Sequence, residues 1–352
     1  MTQGTDTETR GVSRASEREG VILCVLAAAG FGSMAVLAKL AYAAGADVLT
    51  LLSVRFTIGA ALLWAVAAYR GVARLSSRTA AITALTMGLL LYSAESGLYA
   101  TALTHIDASL AELLMFSYPA VVVIAGILLG REPSSSRRLL AVGIATSGVA
   151  LVLIGGSTGQ IDPVGVGLTL AAALIYAGYV LSADAIAGQL HPLTFAALIC
   201  TGAAISFTSA GASSGSLQLG ALHPQAWLWI AVIAVASTTF AMSAFVAGVE
   251  RLGAGRASIM SAFDPIVAVV TGAAVFGESL GPIQMLGGFA VIAAVLVLQM
   301  PAGTLTRRRS RIVCAPPNAP WEQVGSDDFG PPAQPSAQPS AGSLALVTAE
   351  RR

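Results

Sequence analysis

The sequence predicts an all-α integral membrane protein of ten transmembrane helices, folded as two inverted five-helix repeats. Three observations carry that reading. Hydrophobic residues make up 55% of the chain and charged residues 11%, against roughly a quarter charged in soluble domains, and the mean hydropathy is +0.78. Ten apolar runs follow one another, and the second five resemble the first five in sequence. Five is an odd number, so two such halves enter a bilayer in opposite senses.

A helix needs about 20 apolar residues to cross the hydrocarbon core. Runs of that kind occur at 20–42, 48–69, 80–103, 108–129, 139–155, 164–186, 193–212, 226–249, 256–276 and 283–300, the fifth being the shortest. The first follows Arg10, Arg14 and Arg18 as a signal peptide would, but its length marks an anchor. Cationic loop residues fall on one side only. That side collects Arg10, Arg14, Arg18, Arg70, Arg74, Arg78, Arg131, Arg137, Arg138, Arg251, Arg256, Arg307, Arg308, Arg309 and Arg311. The connections near 43–47, 104–107, 156–163, 213–225 and 277–282 receive none. The positive-inside rule therefore expects both termini in the cytoplasm. Of the 19 Lys and Arg, all but Lys39 are Arg, which with abundant Ala and Gly suggests a GC-rich bacterial genome; the expected location of the spans is then the bacterial inner membrane.

The implied organisation is a polar, disordered N-terminus (1–19), a first repeat (20–155), a second repeat (164–300) and a C-terminal tail (301–352). The tail holds the Arg307–Arg311 stop signal and a Pro-, Ser- and Gln-rich stretch at 315–342, a composition that cannot bury enough apolar area to fold. The basic cluster could also attract anionic lipid headgroups.

Sliding the chain by 146 residues superposes Ala108 on Ala254, Ala111 on Ala257, Pro119 on Pro265, Val121 on Val267, Val123 on Val269, Gly126 on Gly272 and Glu132 on Glu278. A shift of 144 aligns Leu26–Ala29 with Leu170–Ala173, Val36-Leu37 with Val180-Leu181, and Leu49-Thr50 with Leu193-Thr194. Inverted repeats are an architecture from which carriers build alternating access.

These features resemble the EamA-like proteins of the drug/metabolite transporter superfamily. The resemblance rests on Leu52-Ser53-Val54-Arg55-Phe56, on the Pro-Val-like fourth spans, on Gly130-Arg131-Glu132 and Phe276-Gly277-Glu278, and on Gly143 and Gly287-Gly288. It covers residues 20–300 and implies ten helices around a central cavity, in proteins that mostly export amino acids or other metabolites. One departure breaks the symmetry: Ile199 stands where a second Arg55 would fall.

Ionisable groups inside spans mark candidate sites, because each costs several kcal/mol unless paired or wetted. Lys39 is near enough to a span end to snorkel. Arg55 lies roughly 10 Å deep, with Glu95 and Glu112 at comparable depth. Two readings stand side by side: a structural Arg–carboxylate pair, or a free acid that takes a proton or a substrate amine. Asp264 precedes Pro265 near mid-membrane, and its repeat mate is Tyr118 before Pro119. A proline breaks the helical hydrogen bonding and exposes a carbonyl, which is tolerated beside a cavity. Asp264 there suits coupling or amine binding, or else bonds neighbouring hydroxyls in a packed core. Tyr92, Glu95 and Tyr99 share one face of span three; the resemblance implies that this face lines the cavity, with Met242 and Phe245 of span eight opposite. An aromatic stripe of that kind also suits plain packing.

The leading function is a secondary transporter that exports a small amino-acid-like or related metabolite by alternating access, with coupling to protons expected through Glu95, Glu112 or Asp264. No Gly-x-x-x-x-Gly-Lys loop offers ATP drive. Rivals are an integral-membrane hydrolase using Ser213 within Gly211-Ala212-Ser213-Ser214-Gly215, a channel, and an exchanger of another substrate class. Cys24, Cys200 and Cys314 lie too far apart for a ligand set, the three His are ungrouped, and neither metal nor cofactor is expected. The expected partners are a small metabolite and the lipid bilayer, with pairing of two copies left open and no nucleic acid.

Overall fold

A computed structural model describes residues 5–130, 135–155, 162–217, 219–220 and 222–299. Every regular element among them is helical. Nine helical stretches are long and apolar enough to cross a membrane: α1 (Ser16–Ala43), α2 (Val48–Tyr69), α3 (Arg78–Ala102), α4 (Ala108–Leu128), α5 (Ser136–Ile154), α6 (Pro163–Asp184), α7 (Pro192–Ser214), α8 (Pro224–Leu252) and α9 (Ile259–Phe276). A shorter apolar helix, α10 (Pro282–Leu298), follows. The shortest is thus the last run and not the fifth, because α5 begins three residues earlier than its apolar stretch, capped by Ser135 accepting from Arg138 N at 3.3 Å.

Local sequence sets most of the boundaries. Asp47, Ser77 and Asp162 cap α2, α3 and α6 through amides of Thr50, Ala80 and Val164. Pro163, Pro192, Pro224 and Pro282 occupy first-turn positions, where the missing amide costs nothing. Gly215 and Gly277 end α7 and α9 at φ 66° and 68°, a left-handed geometry that favours glycine.

Two expectations change here. The helix of α1 already runs from Thr5, where composition suggested disorder. Glu17 and Glu19 at its polar end pair with Arg256 and Arg251. Ser213 and Ser214, placed by the sequence in the connection near 213–225, belong with Gly211 and Ala212 to the last turn of α7. Glycine and serine are compatible with a membrane helix when small size permits close packing, and Gly211 abuts Leu217. Arg131, Glu132 and the whole C-terminal tail lie outside the described residues.

Helix packing pairs the halves. α2 runs along α7, α5 along α10, α1 along α8, α3 along α6, and α4 meets both α6 and α9, while α9 also meets α1. Exchanging the first five helices with the last five returns α2–α7, α5–α10 and α4–α9 to themselves and interchanges α1–α8 with α3–α6 and α4–α6 with α1–α9. At the α5–α10 crossing the approach is reciprocal: a Cβ on Gly148 would fall 2.8 Å from the Gly287 carbonyl oxygen, and one on Gly287 would fall 2.6 Å from that of Gly148.

The irregularities repeat as well. α4 breaks at Phe116–Ser117 and α9 at Ala262–Phe263, each one residue ahead of the Tyr118-Pro119 or Asp264-Pro265 start of the next segment. α3 contains a π-helical turn at Gly88–Tyr92 and α8 one at Ile233–Phe240. α1 alone is broken at Ser33, whose hydroxyl donates to the Gly30 carbonyl, while its counterpart α6 runs unbroken from Pro163 to Asp184.

Candidate functional site: a charged cavity between the helices

α1, α2, α3, α4 and α9 enclose a cavity lined by Phe31, Met34, Leu51, Leu52, Leu103 and Met115 as its apolar wall. Its polar wall is Arg55, Tyr92, Glu95, Ser96, Tyr99, Glu112 and Asp264. About 680 Å³ lies between the lining atoms, part of it continuous with the outside. Six of the residues singled out in the sequence therefore meet in one place. Three do not line it. Tyr118 lies edge-on against Tyr176 at 4.7 Å, Phe245 packs with Cys24, Ala27 and Phe31, and Met242 belongs to the main core. The end of α8 is turned toward α1, which takes Phe245 with it.

Each charged group is held differently. The Arg55 Nε donates to Thr238 Oγ1 of α8 at 3.1 Å, and its guanidinium lies 4.7 Å from the centre of the Phe56 ring. Among the described residues Arg55 has no carboxylate within 4.0 Å, so the structural Arg–carboxylate pair is not what the helices form. Glu112 accepts the Tyr99 hydroxyl at 2.5 Å, and Glu95 accepts that of Ser96 at 2.9 Å. Asp264 is 1% exposed, and neither carboxylate oxygen has a hydrogen-bond partner among the described residues. The packed-core alternative, in which neighbouring hydroxyls satisfy Asp264, is therefore not formed. A buried, unpartnered carboxylate costs several kcal/mol, so the cavity holds an unmet demand for a cation or proton donor beside a guanidinium able to take an anion.

Pro119 and Pro265 lie in the first turns that follow the breaks in α4 and α9. Lys39 does more than snorkel. Its Nζ lies 3.3 Å from Glu278 Oε1 and 3.6 Å from Asp107, and donates to the Ile106 carbonyl at 3.1 Å. Glu278 in turn accepts from the amides of Ala108 and Ser109, both at 3.0 Å, and from the Ser109 hydroxyl at 2.6 Å. The loop after α9 is thereby tied to the N-terminus of α4. Burial raises the pKa of Glu278, but the Ser109 and Ala108 hydrogen bonds and Lys39 outweigh it and hold the carboxyl below its ordinary value. At the opposite end, Arg70 and His191 both approach Glu250 at 3.8 Å.

Sequence reasoning missed Ser96 and Thr238. Ser96 lies four residues after Tyr92 on the same helical face and was legible from that spacing. Thr238 is the repeat mate of Tyr92 at a shift of 146, a signal present but unused.

Fold and site define a multi-pass membrane protein that keeps ionisable groups around an internal cavity. The chain belongs to the EamA-like transporter family, whose model matches it twice, over residues 18–154 and 163–300, and so to the drug/metabolite transporter superfamily. It is 30% identical to an uncharacterized Bacillus subtilis transporter, YcbK, over 53% of this chain and 61% of that one. It is 28% identical to an uncharacterized transporter of Synechocystis over 56% of this chain and 60% of that one. To the threonine/homoserine exporter RhtA of Escherichia coli it is 31% identical over 46% of this chain and 52% of that one. The chain thus spans between half and two thirds of these relatives' lengths. One solved crystal structure aligns with 79% of this chain and 96% of its own at a TM-score of 0.58 and 17% identity, a likeness of fold.

Proposed function

We propose that this protein is a secondary transporter that exports a small amino-acid-like metabolite by alternating access. The observation that carries the reading is the cavity's charge pattern. A zwitterion has a carboxylate for Arg55 and an ammonium for Asp264, and Asp264 has both oxygens free to receive it. The RhtA relative, a threonine/homoserine exporter, supports an amino-acid-like substrate.

The same reading takes α1–α10 as ten crossings, with both ends in the cytoplasm of a bacterial inner membrane. Its halves are inverted repeats, an arrangement supported by the pairing of α2 with α7 and α5 with α10 and by the repeated breaks and π-turns. Exchange of the two halves' conformations would open the cavity to each side in turn. Proton coupling fits a site with three acids and one Arg, in which substrate binding and protonation compete for Asp264, Glu112 or Glu95. The hydrolase alternative finds no support: Ser213 sits in a helix with its hydroxyl donating to the Ala210 carbonyl at 3.0 Å.

The test is efflux of labelled L-threonine from proteoliposomes, with and without an imposed pH gradient, in wild type and in Glu95→Gln, Glu112→Gln and Asp264→Asn. Coupling through these acids predicts that at least one variant loses the gradient's stimulation while still performing counterflow. Unchanged gradient dependence in all three removes the coupling claim.

A further inference from the structure

The two π-turns are built alike. In α3 the Ser93 hydroxyl donates to the Gly88 carbonyl at 2.7 Å, five residues back. In α8 the Thr239 hydroxyl donates to the Ala234 carbonyl at 2.8 Å, again five back. Residues 93 and 239 differ by the repeat shift of 146, as do 88 and 234. Hydroxyls elsewhere in the membrane helices reach four back, as at Thr57, Thr101, Thr169 and Thr201, or three back, as at Ser33 and Ser213. A π-turn inserts one residue into the α-helical count and is rare, which is why it recurs mostly where function retains it. One residue is about 100° of helical rotation, so the α3 turn decides which face of its following segment meets the cavity, and the α8 turn decides which of its side chains meet α2 and α1.

Each π-turn also packs against a repeat-related partner. Thr238, within the α8 turn, holds Arg55, and Gly59 one turn further along α2 leaves room for its methyl group. In α3, Gly88 lies against the backbone of Ile199, the residue that stands in the second half where Arg55 stands in the first. Directly after the α3 turn come Glu95 and Ser96, both on the cavity wall. One turn therefore sets the cavity's cation and the other an acid.

We propose that Ser93 and Thr239 are positioning residues of the transport site: each clamps a π-turn, and the two turns aim Glu95 and Arg55 into the cavity. The kinetic arm of the test rests on the transport reading above; the structural arm does not.

In a background with Cys24, Cys200 and Cys314 changed to Ala, Glu95→Cys is labelled in detergent with a cationic methanethiosulfonate. Adding Ser93→Ala should slow labelling about tenfold, equivalent to about 1.4 kcal/mol and the size of one lost hydrogen bond. Adding Ser93→Thr, which supplies the donor used at 239, should restore the rate. Because Thr238 holds Arg55 through the guanidinium Nε, which a cysteine lacks, Thr239→Ala is read against Thr239→Ser in the counterflow below. If Ser93→Ala does not purify, Ser93→Val against Ser93→Thr repeats the comparison between side chains equal in shape and different in the donor.

In L-threonine counterflow, Ser93→Ala and Thr239→Ala should raise KM about tenfold, and the Ser/Thr exchanges should keep it near wild type. Unchanged labelling in Ser93→Ala overturns the proposal, as does equal slowing by Ser93→Ala and Ser93→Thr, or an unchanged KM in Thr239→Ala. Absence of threonine counterflow in wild type defeats the substrate reading instead, and leaves the labelling result to decide this one.

Discussion

Replacing Glu278 by Gln perturbs the junction between the loop after α9 and the start of α4 with little change of shape. Four donors converge on this carboxylate: Lys39 Nζ at 3.3 Å, two backbone amides at 3.0 Å and the Ser109 hydroxyl at 2.6 Å. Two of them are the first free amides of α4, where the helix dipole favours negative charge. In the amide variant one oxygen becomes an NH₂ group that points at donors, and Lys39 loses a charge partner that is only 6% exposed. Hydrogen bonds to a charged group contribute about 1.5–3 kcal/mol each. They share one acceptor and cannot simply be added, so a loss of about 3 kcal/mol is the expectation, roughly 5 °C or more in Tm. The assay is thermal unfolding of purified protein in detergent, scanned at several pH values. Because the folded-state pKa of Glu278 lies below its ordinary value of 4.5, the stabilisation is complete above 4.5. It is lost only as pH falls through the lower folded-state value. Wild type and Glu278→Gln should therefore differ fully at pH 7 and pH 5.5, and converge only well below 4.5. Equal stability at pH 7, or convergence already by pH 5.5, would refute the reasoning.

Further expectations concern packing and the cavity. Gly148→Val or Gly287→Val inserts side-chain atoms where carbonyl oxygens lie inside 3 Å. Overpacking of this kind costs about 1–3 kcal/mol, read as a lower Tm, whereas Gly143→Ala, with open space around it, should be neutral. Thr238→Val removes Arg55's hydrogen bond and should weaken substrate affinity about fivefold to tenfold, one neutral hydrogen bond's worth, with little loss of maximal rate in counterflow. Ser213→Ala should leave flux unchanged, because its hydroxyl only returns to its own helix.

Much of this molecule was legible because membrane helices advertise themselves. Apolar length marked the crossings, and Pro119 and Pro265 announced the breaks in α4 and α9. The i, i+3, i+7 spacing of Tyr92, Glu95 and Tyr99 put one face on the cavity, since all three lie in or after the π-turn. What sequence could not reveal were partners distant in the chain and local changes of helical count. Lys39 and Glu278 are 239 residues apart, and nothing in either neighbourhood names the other. The π-turn at Gly88-Leu-Leu-Leu-Tyr92 has the composition of any apolar helix; only the shared hydroxyl of Ser93 and Thr239, seen through the repeat, hints at it. Phe245 and Met242 were placed on the cavity by the resemblance alone. The packing of α8 on α1 took Phe245 elsewhere.

The central claim is that Asp264 and Arg55 together hold a zwitterion inside this cavity. Counterflow of labelled L-threonine into unlabelled-threonine-loaded proteoliposomes, wild type against Asp264→Asn, tests it most directly. The account predicts saturable counterflow in wild type and a loss of at least about tenfold in affinity in the variant, the cost of about 1.4 kcal/mol for a lost charge-assisted contact. Wild-type counterflow with unaltered affinity in Asp264→Asn would contradict it.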